Sequence, residues 1–233
     1  MYYNSRCRKE IENMKKPNFV KTIILALVTA VFSALVCLID KAAIGPNETV
    51  VGFAKINGLF AKLFKYSPLL YMLTNLLGYF ALLVCAFFGF IGLLQLIKGK
   101  SLKKVDRNII ALGVLYVIVI GLYVLFDKVA LNYRPILMEG ETNPEPSFPS
   151  SHTMLAVTVF CSAPLVLKRY FRDPGEQMII KAVCYSLAAI MTVGRLISGV
   201  HWFTDIVAAV LISLTLVSAF KNVLIAIKPK KNA

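Results

Sequence analysis

Two histidines, His152 and His201, make up the whole histidine content of this 233-residue chain, and each stands among residues able to put it to chemical use. His201 and Asp205 are spaced i, i+4, which places them on one face of a helix. A carboxylate bonded to one imidazole nitrogen fixes the tautomer, frees the lone pair of the other, and stabilises the imidazolium that forms. That pairing suits a histidine nucleophile that accepts a phosphoryl group; an interfacial ion pair is the plainer alternative. His152 follows Pro149, Ser150 and Ser151, a helix start with a serine as N-cap. Helix N-termini offer free N–H groups and a positive dipole end to phosphate oxygens, and a histidine in the first turn can protonate a leaving oxygen. Arg134 and Arg195 add guanidinium groups that grip phosphate oxygens in pairs and neutralise the charge of a pentavalent transition state. Either arginine could instead snorkel to a membrane surface. Lys128 completes the set of cations. No acidic cluster has the spacing of a divalent-metal site, so neither metal nor cofactor is expected.

These residues lie in three separate loops, and long apolar stretches must bring them together. Hydrophobic residues are 58% of the chain, too many for an ordinary soluble domain. Six stretches are long enough to cross a bilayer at roughly 20 residues each: 22–39, 69–97 (long enough to tilt or to break at Gly78 or Gly89), 109–126, 150–167 (bent by Pro164), 182–200 and 202–227. The first is taken as an uncleaved anchor rather than a signal peptide, since no small-residue cleavage site follows it. With alternating spans and both termini cytoplasmic, the entire excess charge of +14 falls on the inner segments, and the outer ones balance. The positive-inside rule is thus satisfied, and the basicity needs no nucleic-acid partner. All three polar clusters then share the outer face of the cell membrane. Intramembrane and juxtamembrane ionisable residues are functional candidates by default. Phe53, Ile56, Phe60 and Leu63 share one helical face, with Lys55, Lys62 and Lys65 off it. That pattern predicts a short amphipathic helix in the outer interface. Of the cysteines, Cys37, Cys85, Cys161 and Cys184 lie in apolar stretches and Cys7 does not; none forms a CxxC pair. The expected architecture is one all-α membrane domain over 1–233, a bundle of six transmembrane helices plus that amphipathic helix.

The three clusters resemble the type-2 phosphatidic acid phosphatase superfamily of membrane lipid phosphatases. Its motifs run Lys, six residues, Arg-Pro; then Pro-Ser-Gly-His; then Ser-Arg, five residues, His, three residues, Asp. Here the corresponding segments are Lys128 to Arg134-Pro135, Pro149-Ser150-Ser151-His152 and Gly194-Arg195 to His201 and Asp205, within 127–205. The resemblance implies that His201 is the nucleophile and Asp205 its orienting partner. It implies that His152 is the general acid and later the base for water, and that Arg134, Arg195 and Ser150 hold the phosphoryl oxygens. There are three departures. Asp127, not Lys128, occupies the family's lysine register, and one residue is about 100° of helix rotation. Ser151 replaces the motif glycine while keeping its backbone donor. Gly194 replaces the serine before the arginine.

The function expected from the resemblance is metal-independent hydrolysis of a lipid phosphate or diphosphate through a phosphohistidine. Undecaprenyl diphosphate leads the candidates, with phosphatidylglycerophosphate, phosphatidic acid and lipid A-type substrates behind it. A phosphotransferase using the same histidine, and a non-catalytic phospholipid-binding protein of the same fold, are the competing readings. Glu139, Glu141 and Glu145, in the loop after Arg134, form either a solvated stretch or an acidic rim that disfavours bulky anionic headgroups.

Overall fold

The structure is a computed structural model that describes residues 17–171 and 173–227. The basic residues between Arg6 and Lys16, Arg172, those between Lys228 and Lys231, and Cys7 lie outside the described residues. The fold is helical: α1 Val20–Leu38, α2 Ala54–Leu63, α3 Pro68–Gly99, α4 Arg107–Lys128, α5 Ser151–Leu167, α6 Pro174–Ile197 and α7 Phe203–Ala226. A two-residue antiparallel ribbon, β1 Ala42–Ala43 with β2 Val50–Val51, lies between α1 and α2.

Five helices, α1, α3, α4, α6 and α7, are long and apolar enough to cross a membrane. The sixth expected span, α5, has 17 residues and is the short one. Its place in the bundle differs from that of the other five. Helix α5 packs against α3, α4, α6 and α7 and buries Met154, Ala156, Val159, Phe160, Ala163 and Val166. Surrounded by protein, it need not match the full hydrocarbon thickness of about 30 Å. Small residues such as Ala156, Ala163 and Ala188 are buried in the core, as expected where helices approach closely in lipid. Large apolar side chains on α1, α3, α4 and α6 point outward, the arrangement of a lipid-facing surface.

Hydropathy alone misjudged some boundaries. Helix α3 runs unbroken through Gly78 and Gly89 for 32 residues, about 48 Å at 1.5 Å per residue, so it tilts or projects from the bilayer. Helix α6 begins at Pro174 rather than Ala182, because Asp173 accepts the Glu176 N–H at 3.1 Å and caps it. Helix α4 extends to Lys128 rather than ending at Phe126. Polar bonds between α1 and α7 add to the packing: Thr22 with Ser218 at 2.8 Å and Thr29 with Thr215 at 3.2 Å.

Candidate active site

The α6–α7 turn carries His201, 6% exposed. Its Nδ1 lies 3.1 Å from the Ser147 backbone oxygen. A carbonyl only accepts, so Nδ1 holds the proton and Nε2 keeps its lone pair. Nε2 is buried and without a hydrogen-bond partner. Burial, then the charges of Arg195 and Arg134, hold the His201 pKa well below its ordinary value, so the ring is neutral.

The bond expected from Asp205 to this ring is replaced by the one to Ser147. Asp205 Oδ2 stands 3.7 Å from Nδ1, outside hydrogen-bond distance. The carboxylate is occupied elsewhere: Oδ2 accepts the Trp202 N–H at 3.1 Å, and Oδ1 accepts Asn132 Nδ2 at 3.3 Å. Asp205 is the third residue of α7 and caps that helix's N-terminus. It therefore holds the turn bearing His201, with its carboxyl group 3.7 Å from Nδ1.

His152 is in the first turn of α5, and its Nδ1 lies 2.8 Å from Arg195 Nη2. A guanidinium only donates, so this ring has the opposite tautomer, with its proton on Nε2. Gly78 of α3 makes room for it: a Cβ there would lie 2.7 Å from His152 Cδ2. Arg195 is fully buried. Its Nη1 donates to Thr74 Oγ1 and Asn75 Oδ1, both at 3.0 Å, and its guanidinium lies 5.1 Å from the centre of the Tyr71 ring. Gly194 lets α6 approach α3, since a Cβ would lie 2.8 Å from Thr74 Cγ2. Every hydrogen-bond partner of Arg195 is neutral, its Nε is buried without one, and no carboxylate pairs with it among the described residues.

Arg134 is largely buried, and its Nε lies 3.0 Å from Glu145 Oε2. The loop around it is pinned by the Arg134 N–H to the Glu145 oxygen at 2.9 Å and by Trp202 Nε1 to the Tyr133 oxygen at 2.6 Å. Glu145 is thus a partner of the arginine, whereas Glu139 and Glu141 are exposed.

Ser150 is the N-cap residue of α5 but forms no side-chain cap. Its hydroxyl donates to Thr153 Oγ1 at 3.0 Å, and its N–H bonds the Asp205 backbone oxygen at 3.2 Å. The first-turn N–H groups of α5, which begins at Ser151, are therefore left uncapped by Ser150, as an anion site at a helix N-terminus requires.

Lys128 is the residue that the structure does not bring in. It ends α4 with its side chain 78% exposed and pairs with Asp127 at 3.9 Å. The regular helix keeps the one-residue offset from the family register. Lys128→Ala is accordingly expected to change turnover by less than about 2-fold, in line with exposed ion pairs being weak. A loss of tenfold or more in a phosphate-release assay would contradict this placement.

Several residues went unrecognised in the sequence. Thr74 and Asn75 carried a usable signal, being polar groups within an apolar span. Asn132 stands between Lys128 and Arg134 without a pattern of its own. Ser147 acts through its backbone, which no side-chain pattern reveals. Gly199, in the turn before His201, has φ of +72°, and a Cβ there would lie 2.7–2.8 Å from backbone atoms of Phe64, Lys65 and Tyr66. Gly199→Ala is expected to destabilise the protein by about 1–3 kcal/mol, read as a lower thermal-inactivation midpoint in detergent. An unchanged midpoint would contradict the close approach.

The PAP2 superfamily model matches residues 128–227. No curated protein matches the chain. Among solved structures, the chain is similar to one described as the first transmembrane PAP2 type phosphatidylglycerolphosphate phosphatase from Bacillus subtilis. The two share 19% identity over 91% of this chain and 99% of that one, with a TM-score of 0.60. At that identity the likeness establishes the fold. The resemblance read from the three motifs therefore holds: this is a multi-pass membrane protein carrying the PAP2 superfamily pattern across residues 128–227, on a fold shared with a PAP2-type phosphatase.

Proposed function

We propose that the chain is a membrane lipid phosphatase that transfers the phosphoryl group of a lipid phosphate or diphosphate to His201 and then to water. The observation that carries this reading is Arg195, a buried guanidinium with only neutral partners. A buried charge without a counter-ion is costly, and a phosphate anion beside Arg195, Arg134 and the N-terminus of α5 supplies the missing charge.

The steps follow from the two tautomers. His201 Nε2 attacks phosphorus; the N–P bond forms as the bond to the leaving oxygen breaks. The phosphorylated ring is cationic, and the Ser147 carbonyl and the Asp205 carboxylate face its Nδ1–H. Binding of phosphate to Arg195 draws the guanidinium from His152 Nδ1, so that this nitrogen takes a second proton from solvent, which it returns when the product phosphate leaves and Arg195 bonds it again. His152 then protonates the leaving oxygen from Nε2 and afterwards takes a proton from the water that attacks phosphorus and breaks the N–P bond. The chemistry draws on no metal. The positive-inside distribution of charge favours a site on the extracytoplasmic side of the cell membrane.

Undecaprenyl diphosphate and phosphatidylglycerophosphate are the first substrates to test, the second because the similar solved structure is described as its phosphatase. Phosphate release would be followed with detergent-purified protein on these lipids and phosphatidic acid, with excess chelator throughout. Release that persists in chelator, with acid-labile phosphate trapped on the protein, is the expected result. Release abolished by chelator, or a trapped phosphate stable to acid, would overturn the mechanism.

A further inference from the structure

The segment from β2 to the start of α3 grips the turn that carries His201 at four points. Asn57, fully buried in α2, donates from Nδ2 to the Gly52 oxygen at 2.8 Å and to Thr204 Oγ1 at 2.9 Å. Its Oδ1 accepts the Thr204 N–H at 3.2 Å. Phe60 stacks on Phe203 with centroids 4.3 Å apart. The Ser67 N–H bonds the Ser198 oxygen at 3.1 Å, and Gly199 rests against the backbone at Lys65 and Tyr66.

Thr204 is the second residue of α7, and its N–H is one of the amides that a helix start leaves without an internal partner. Asn57 thus caps α7 from another element, immediately before Asp205, while Asp205 caps the same helix from within. A buried asparagine with both ends of its amide bonded fixes a geometry that an apolar residue could not. Meanwhile Ile56, Leu59 and Leu63 of α2 face outward, which suits a helix lying at the membrane surface.

We propose that Asn57 is a positioning residue for the phosphatase reaction: through Thr204 it sets the orientation of the turn bearing His201, so that α2 acts as a clasp on the catalytic turn. The inference rests on the phosphatase reading. Asn57 contacts neither histidine and plays no part in bond making.

The test uses Asn57→Ala and the shape-conserving Thr204→Val, assayed on the lipid that wild type hydrolyses best, beside His201→Ala. Misplacement of a reacting group by about 1 Å can cost about 100-fold. Asn57→Ala is therefore expected to lower kcat and the single-turnover rate of His201 phosphorylation by about 10- to 100-fold, with KM unchanged. Thr204→Val, which loses only the hydroxyl contact, should show a smaller loss of the same kind. A merely structural role would lower the thermal-inactivation midpoint and the active fraction while leaving the phosphorylation rate of folded protein intact. That outcome, or wild-type kcat in both variants, would overturn the proposal; should Asn57→Ala not fold, Thr204→Val decides alone. Activity retained by His201→Ala would instead defeat the phosphatase mechanism itself.

Discussion

Turnover is expected to fall by about 10⁴-fold or more when His201 is replaced by alanine, on the scale seen when a covalent nucleophile is removed. The effect should exceed that of any other substitution, because no other described side chain offers a buried, unpartnered imidazole nitrogen. The check is steady-state phosphate release together with trapping of labelled phosphate on the protein. Wild type should be labelled at His201, and the alanine variant should carry no acid-labile label. Retention of a tenth of wild-type activity would exclude His201 as nucleophile. The same ring has a pH signature. Its pKa is lowered, so the neutral form persists as pH falls through the ordinary histidine value of 6.5. Isotope-labelled histidine NMR at pH 6 should therefore find His201 neutral; a protonated ring there would contradict its environment. By linkage, the folded state binds fewer protons at this site than the unfolded one, so the contribution of His201 makes the protein less stable as pH falls below 6.5.

Arg195→Lys is expected to lower kcat by about 10²- to 10³-fold, the range for loss of a preorganised donor to a transition-state oxyanion. Charge is conserved in this change, so the loss isolates geometry. The guanidinium bonds Thr74, Asn75 and His152 from fixed positions in one plane. An ammonium is a compact point charge on a flexible stem and cannot span them. His152 would also lose the donor that sets its tautomer, and labelled-histidine NMR would detect that change independently of activity. A loss below about 5-fold in kcat would mean that Arg195 supplies charge alone and that the buried fork has no special role.

Much of the fold was legible because lipid imposes simple rules. Apolar stretches near 20 residues follow from the cost of placing polar groups in hydrocarbon, and they are a local property of the chain. The short amphipathic helix was legible for the same reason, and it forms over Ala54–Leu63. Of the apolar residues expected on one face, Ile56 and Leu63 are exposed, as suits a helix at a membrane surface, whereas Phe60 stacks on Phe203 and the polar Asn57 is buried. Periodicity identifies a helix but does not say which face meets protein when the surroundings are themselves apolar.

The residue types of the site, and their division among three loops, were determined by the sequence alone: two histidines, two arginines, an aspartate and a serine at spacings that suit phosphoryl transfer. Which of them meet was decided only by tertiary structure. Lys128 has the right charge and nearly the right spacing, yet an unbroken α4 leaves it exposed. Ser147, Thr74, Asn75 and Asn132 show no motif, yet they hold the His201 ring, the guanidinium and the carboxylate. The physical reason is that spacing along one helix specifies a shared face, whereas a hydrogen bond between elements depends on how those elements pack. Asp205 shows both. Its register with His201 was legible, but its carboxylate bonds the start of α7 and Asn132, and a backbone carbonyl from a distant loop takes the histidine proton.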